Sequence, residues 1–113
     1  MKSANPWKRI FDTIGEAAAL EMVAEEAAEL SATAAKLARI VRGENPARVN
    51  YGEAEEKLIE EVADVYNALD VLDTGLSETR GRNIDMAAKR IAFKKMKRWY
   101  KDLFGTEESY AAD

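Results

Sequence analysis

The chain has 113 residues, enough for one domain and one modest core. Its 17 Lys and Arg against 21 Asp and Glu leave a net charge of −4, which argues against general binding to nucleic acid or to an anionic membrane. With no Cys and no His there is no disulfide, no thiolate or imidazole metal site and no Ser-His triad, so any bound metal must be held by oxygen.

Met1 to Pro6 shows no apolar run behind a basic stretch, and no apolar segment approaches spanning length. Neither a secretory signal nor a membrane span is expected, and the cytoplasm is the default compartment. Asn5-Pro6 reads as a helix cap followed by proline at the first helical position. A short helix from Trp7 to about Thr13 follows, with Gly15 as a weak point; Trp7, Ile10, Phe11 and Ile14 share one apolar face. A long helix then runs from Glu16 to about Arg42, with a seam of Leu20, Val23, Ala27, Leu30, Ala34, Leu37 and Val41. Gly43 ends it and Pro46 prevents resumption.

Glu44 to Gly52 reads as a loop. A second long helix is expected from about Glu53 to Leu72, with a seam of Leu58, Val62, Val65, Leu69 and Leu72. Asp73-Thr74-Gly75 closes it, and Leu76 to Gly81 forms a second, partly helical loop. The last helix, about Asn83 to Phe104, carries a broad apolar stripe and stops at Gly105. No stretch alternates like a strand, and no repeat is seen. The expected fold is all-α: a bundle of about four helices in a single domain over 1–113, two of them long and antiparallel, with loose tails at 1–5 and 106–113.

Two acidic clusters stand out, Glu25-Glu26-Ala27-Ala28-Glu29 and Glu60-Glu61-Val62-Ala63-Asp64. Glu26 with Glu29, and Glu61 with Asp64, lie three residues apart and so share a helix face. Two such helices side by side would aim four carboxylates at one point, the arrangement a hard cation such as Mg²⁺ requires. The clusters flank their apolar seams, which places them at the edge of one interface. A glutamate-rich face is usually just solvated. Here positions three and four residues after Glu26, Glu29 and Asp64 hold no Lys or Arg, the partners a surface design would supply.

Glu-Glu-x-x-Glu-Leu in one helix and Glu-x-x-Asp-Val in the next resemble the MazG-like all-α nucleoside triphosphate pyrophosphohydrolases. Ile14-Gly15-Glu16, Met22 to Leu30, Arg42-Gly43 and Leu58 to Leu72 extend the resemblance over about residues 14 to 98. The connection between the motifs is longer than the family's, with the excess in Glu44 to Glu56. The resemblance implies Mg²⁺, with Mn²⁺ as a substitute, held by Glu26, Glu29, Glu61 and Asp64, and a catalytic role for these four with Glu25 orienting water. Glu60 matches only a variable acidic position.

The implied reaction converts a nucleoside or deoxynucleoside triphosphate to the monophosphate and pyrophosphate by water attack at the α-phosphorus. Within the basic last helix, Lys94, Lys97 and Arg98 resemble the family's phosphate-binding residues; charge balance is the plainer reading of the same set. Asn67, one turn beyond Asp64, is either a nucleotide contact or an ordinary surface residue. Trp7 and Trp99 read as core or interface anchors, and Tyr51 as a base contact. A homodimer or homotetramer is implied, with no nucleic-acid or membrane partner. Two other readings stand beside this one: a phosphoribosyl-ATP pyrophosphohydrolase on the same scaffold, and a non-catalytic helical interaction module.

Overall fold

A computed structural model of the chain describes residues 5–44 and 50–105. The expected tails, apart from Asn5, and the centre of the loop between the long helices lie outside them. Among the described residues the fold is all-α, with four helices: α1 (Pro6–Ile14), α2 (Glu16–Val41), α3 (Tyr51–Arg80) and α4 (Ile84–Phe104). None of them is long and apolar enough to cross a membrane. By its contacts the chain forms two compact units, Met1–Arg82 and Asn83–Asp113.

The helix ends follow local chemistry. Asn5 caps α1 by accepting from the Lys8 amide at 3.1 Å, and Pro6 occupies the first turn, where its missing N–H costs nothing. Gly15, at φ 90, separates α1 from α2 in a conformation that L side chains rarely adopt. A capping box opens α3: Asn50 Oδ1 accepts from the Glu53 amide at 2.8 Å, and the Glu53 carboxylate reaches back to the Asn50 amide at 3.5 Å. That box starts α3 two residues before the expected Glu53.

The larger correction is at the other end. Asp73-Thr74-Gly75 does not close α3, and residues 76–80 are helical rather than a loop; Gly81 caps the helix instead. Gly75 reads as a stop in sequence because glycine weakens helices, but its role here is spatial. Phe11, only 5% exposed, lies directly over it, and a Cβ at position 75 would overlap the Phe11 ring. Gly75 is therefore the seat on which α1 docks against α3.

α2 packs along α3 in the opposite direction. Arg80, near the end of α3, holds Glu16 at the start of α2 through three hydrogen bonds of 3.0–3.2 Å, while Lys36 and Glu53 line one cleft at the far end. The packed seam differs from the expected one. On α2, Leu20 is 48% and Val41 67% exposed, and Ala27 and Ala34 are exposed as well. The inward row is instead Ala19, Met22, Glu26, Leu30, Thr33 and Leu37, with Ala19 fully buried. On α3 the inward row is Ala54, Leu58, Glu61, Val65, Ala68 and Leu72. Three alanines among the buried residues of this unit let the backbones approach closely.

The described residues of the second unit form one helix, capped by Asn83, which accepts from the Met86 amide at 3.0 Å, and by Gly105. A Lys89–Asp85 pair at 3.0 Å and a tilted Tyr100–Phe104 contact at 4.8 Å lie along it. None of the residues of α4 is buried.

The close approach at Gly75 gives a test of the docking of α1. Gly75→Ala improves helix propensity, yet it should destabilise the protein by about 1–3 kcal/mol through overpacking. Phe11→Leu in the same background should recover part of that loss in urea unfolding. Additive effects of the two substitutions would show that Phe11 does not depend on Gly75.

Candidate functional site

The inward rows of α2 and α3 bring the acidic residues together near the middle of the helix pair. Glu61 sits on the packing row of α3 between Leu58 and Val65 and is 3% exposed, the one buried charged residue among those described. Glu26 sits on the inward row of α2 and is half-buried, while Glu29 and Asp64 lie at the exposed rim. The sequence placed these carboxylates beside the seams; Glu26 and Glu61 are within them. The packed rows keep Leu30 and Leu37 on α2 and Leu58, Val65 and Leu72 on α3 from the expected seams, and run through Glu26 and Glu61 where Ala27 and Val62 were expected.

Electrostatics link the four residues. Glu29 is held above the ordinary glutamate pKa first by a hydrogen bond with Glu61, then by repulsion from Glu26 and Glu61, by desolvation and by repulsion from Asp64. Glu26 is raised first by desolvation and then by repulsion from Asp64, Glu61 and Glu25. Four side chains from two helices thus form one mutually repelling set. Glu25 is exposed and contributes to it through its charge on Glu26.

Among the described residues no three acidic side chains converge as a finished coordination shell. Lys57 neighbours the set, its Nζ 3.6 Å from Glu61 Oε2. The donor chemistry nonetheless fits a hard divalent cation: every acidic group is an oxygen ligand, and the set carries more negative charge than its neighbours neutralise.

Lys57 was missed in the sequence because the search for bases looked forward from each acid, whereas Lys57 lies four residues before Glu61. Together with Ala32, Thr33, Lys36, Glu53 and Ala54 it lines a half-open cleft of about 240 Å³ between α2 and α3. Thr33 and Lys36, four and seven residues after Glu29, were legible by helical spacing but carried no motif.

At the other end of the site, Asn67 Oδ1 accepts a hydrogen bond of 3.1 Å from Trp7 Nε1. Trp7, expected as a core or interface anchor, is half-buried and ties α1 to α3 here. Glu60 is exposed, and Tyr51, 50% exposed, is the first residue of α3. Lys94, Lys97 and Arg98 lie on α4, in the second unit, where with Lys101 they line a surface depression. Compared with protein-family models, curated proteins and solved structures, the chain matches none.

The raised carboxyls set a pH dependence. The folded chain keeps protons on Glu26 and Glu29 at pH values where the unfolded chain has released them. Their contribution to stability therefore declines as pH rises from the ordinary carboxylate range, about 4 to 4.5, through the raised folded values. In EDTA, thermal unfolding followed from pH 4.5 to 8 should show a falling Tm, and Glu29→Gln should flatten that fall. An unchanged slope in the variant would show that Glu29 does not share a proton with the cluster.

Proposed function

We propose that this chain is a Mg²⁺-dependent nucleoside triphosphate pyrophosphohydrolase of the MazG-like type, releasing a nucleoside monophosphate and pyrophosphate. The observation that carries the reading is the coupling of Glu26, Glu29, Glu61 and Asp64 across the α2–α3 interface, with Glu61 buried. A fold maintains such repulsion at a cost to stability, and a ligand of opposite charge removes that cost. The spacing of the two acidic motifs supports the same reading independently.

In this reading Glu26, Glu29, Glu61 and Asp64 would hold the cation. When bound, Mg²⁺ supplies Lewis-acid chemistry, neutralising phosphate oxygens and acidifying water. Lys57, which pairs with Glu61 at 3.6 Å, would turn to meet phosphate. Glu25, exposed beside Glu26, orients the water that attacks the α-phosphorus. The bond broken is the α–β phosphoanhydride, and pyrophosphate leaves with its charge met by basic side chains. Lys94, Lys97 and Arg98 are assigned to that task by family resemblance alone. No protein nucleophile is required, in keeping with a chain that has neither Cys nor His.

A homodimer or homotetramer belongs to the same proposal. On α3, Ile59 (55% exposed), Tyr66 (66%) and Leu69 (43%) recur at helical spacing with half-buried Val62, a stripe suited to helix-on-helix packing. Sedimentation should find a dimer or larger species, dissociated by Tyr66→Glu; a monomer at all concentrations would count against it.

The reaction is tested by product analysis with Mg²⁺ on a panel of NTPs, dNTPs and phosphoribosyl-ATP. Monophosphate and pyrophosphate are expected, with the oxygen of labelled water in the monophosphate. Glu61→Gln should lower kcat/KM by at least about a hundredfold, beyond what loss of a supporting contact costs. Label in pyrophosphate would overturn attack at the α-phosphorus. Turnover of phosphoribosyl-ATP alone would select that substrate. A folded protein that turns over nothing on the panel would favour a non-catalytic module.

A further inference from the structure

Along one face of α3, Lys57, Glu61, Asp64 and Asn67 follow one another at intervals of four, three and three residues. At about 1.5 Å per residue the row is about 15 Å long. Its chemistry changes in one direction: a cation, two carboxylates, then a neutral amide. Each end has further support from another helix. At the Lys57 end, Lys36 and Thr33 from α2 line the 240 Å³ cleft and add a second ammonium and a hydroxyl. At the Asn67 end, Trp7 from α1 makes the 3.1 Å hydrogen bond.

That last contact fixes the polarity of Asn67. An indole N–H can only donate, so the amide oxygen must face Trp7. Asn67 is exposed, and its Nδ2 group, opposite that oxygen on the amide, is a pure donor. Such a group pairs with an acceptor oxygen and has nothing to offer a cation.

We propose that a nucleotide lies along this row in one sense: its polyphosphate end toward Lys57 and Lys36, and its nucleoside end at Asn67, held in place by Trp7. The inference rests on the nucleotide-hydrolase reading and adds a direction to it. The carboxylates lie between the two ends, level with the phosphorus next to the nucleoside. Lys57 exchanges its pairing with Glu61 for the terminal phosphates. Asn67 donates to an acceptor oxygen of the nucleoside, either a sugar hydroxyl or a base carbonyl. Trp7 is a positioning residue, acting through the Asn67 amide.

The test uses the full-length chain with Trp99→Phe, which leaves Trp7 as its single tryptophan. Two probes are titrated with Mg²⁺ by calorimetry, with Trp7 emission recorded alongside: a non-hydrolysable α,β-methylene nucleoside triphosphate, and tripolyphosphate, which has no nucleoside. Trp7 emission should change with the nucleotide and not with tripolyphosphate. Asn67→Ala should weaken nucleotide binding about three- to tenfold, as expected for one lost hydrogen bond, and leave tripolyphosphate unaffected. Lys57→Ala should weaken both probes.

Trp7→Phe keeps the ring and loses the donor. It should raise KM by a similar factor with kcat within about twofold, a split that simple destabilisation does not produce. If that variant fails to fold, Asn67→Ala, with Trp7 in place, carries the test. Repeating it with a 2′,3′-dideoxy analogue separates the two sources of the acceptor. Loss of the Asn67 effect assigns the sugar and its retention the base, and either supports the orientation.

A Trp7 response to tripolyphosphate, or equal weakening of both probes by Asn67→Ala, overturns the inference. Binding in the proposed sense without turnover would refute the hydrolase and leave the orientation intact. Turnover without these probe differences would do the reverse, and absence of any binding would overturn both.

Discussion

The burial of one carboxylate between two helices is the constraint around which this structure is arranged. Glu61 is 3% exposed, and a buried charge must be paired or neutralised to be tolerated. Its partners are only partly adequate. Lys57 approaches to 3.6 Å, but its own side chain is 60% exposed, so the ammonium stays largely in water. Glu29, held above the ordinary glutamate pKa first by its hydrogen bond with Glu61, reaches it from α2. With Glu26 and Asp64 repelling from the same side, Glu61 is compensated well enough for folding and poorly enough to favour an incoming cation.

Small residues make that placement possible. Ala54 and Ala68 each lie about two turns from Glu61, on either side of it along the same inward row, and Ala19 occupies the corresponding row of α2. Larger side chains there would separate the helices and let water reach Glu61, raising the local dielectric and weakening the coupling. The same economy of volume appears at Gly75, where Phe11 fills the space that a side chain would take. α1 is thereby fixed to α3 at two points, Phe11 over Gly75 and Trp7 on Asn67, two turns apart. A nine-residue helix has little stability of its own, so these contacts decide where its indole sits.

Much of this was legible in the sequence because periodicity and capping are local. Asn5-Pro6, Gly43 and Gly105 marked helix ends within one or two residues, and the acidic spacing identified the four residues that the fold couples. What failed depended on partners distant in sequence. Gly75 looks like a helix stop until Phe11, sixty-four positions earlier, is placed above it. The seams were right at Leu30 and Leu37 on α2 and at Leu58, Val65 and Leu72 on α3, but alanine-rich α2 offers several rows of similar apolar content, and only the contact with α3 selects Ala19, Met22 and Glu26 over Leu20, Ala27 and Ala34. Pairing of Trp7 with Asn67 has no local signature at all. Lys57 was visible by spacing, and recognising it required reading backward from Glu61.

The devices that hold the first unit together are segregated from the carboxylates that strain it. The capping box of Asn50 and Glu53 lies at the start of α3, and the Gly81 cap at its end. The Arg80–Glu16 contact joins the end of α3 to the start of α2, and Lys8 reaches Glu78 at 3.4 Å nearby. Glu61, by contrast, is the eleventh of thirty residues in α3, and Glu29 the fourteenth of twenty-six in α2. Exposed ion pairs each add little stability, but at helix ends they fix register and direction. Register is what the centre requires, since a slip of one residue along either helix would turn Glu26 or Glu61 about 100° out of the interface. The ends therefore determine the geometry of a central cluster that cannot stabilise itself.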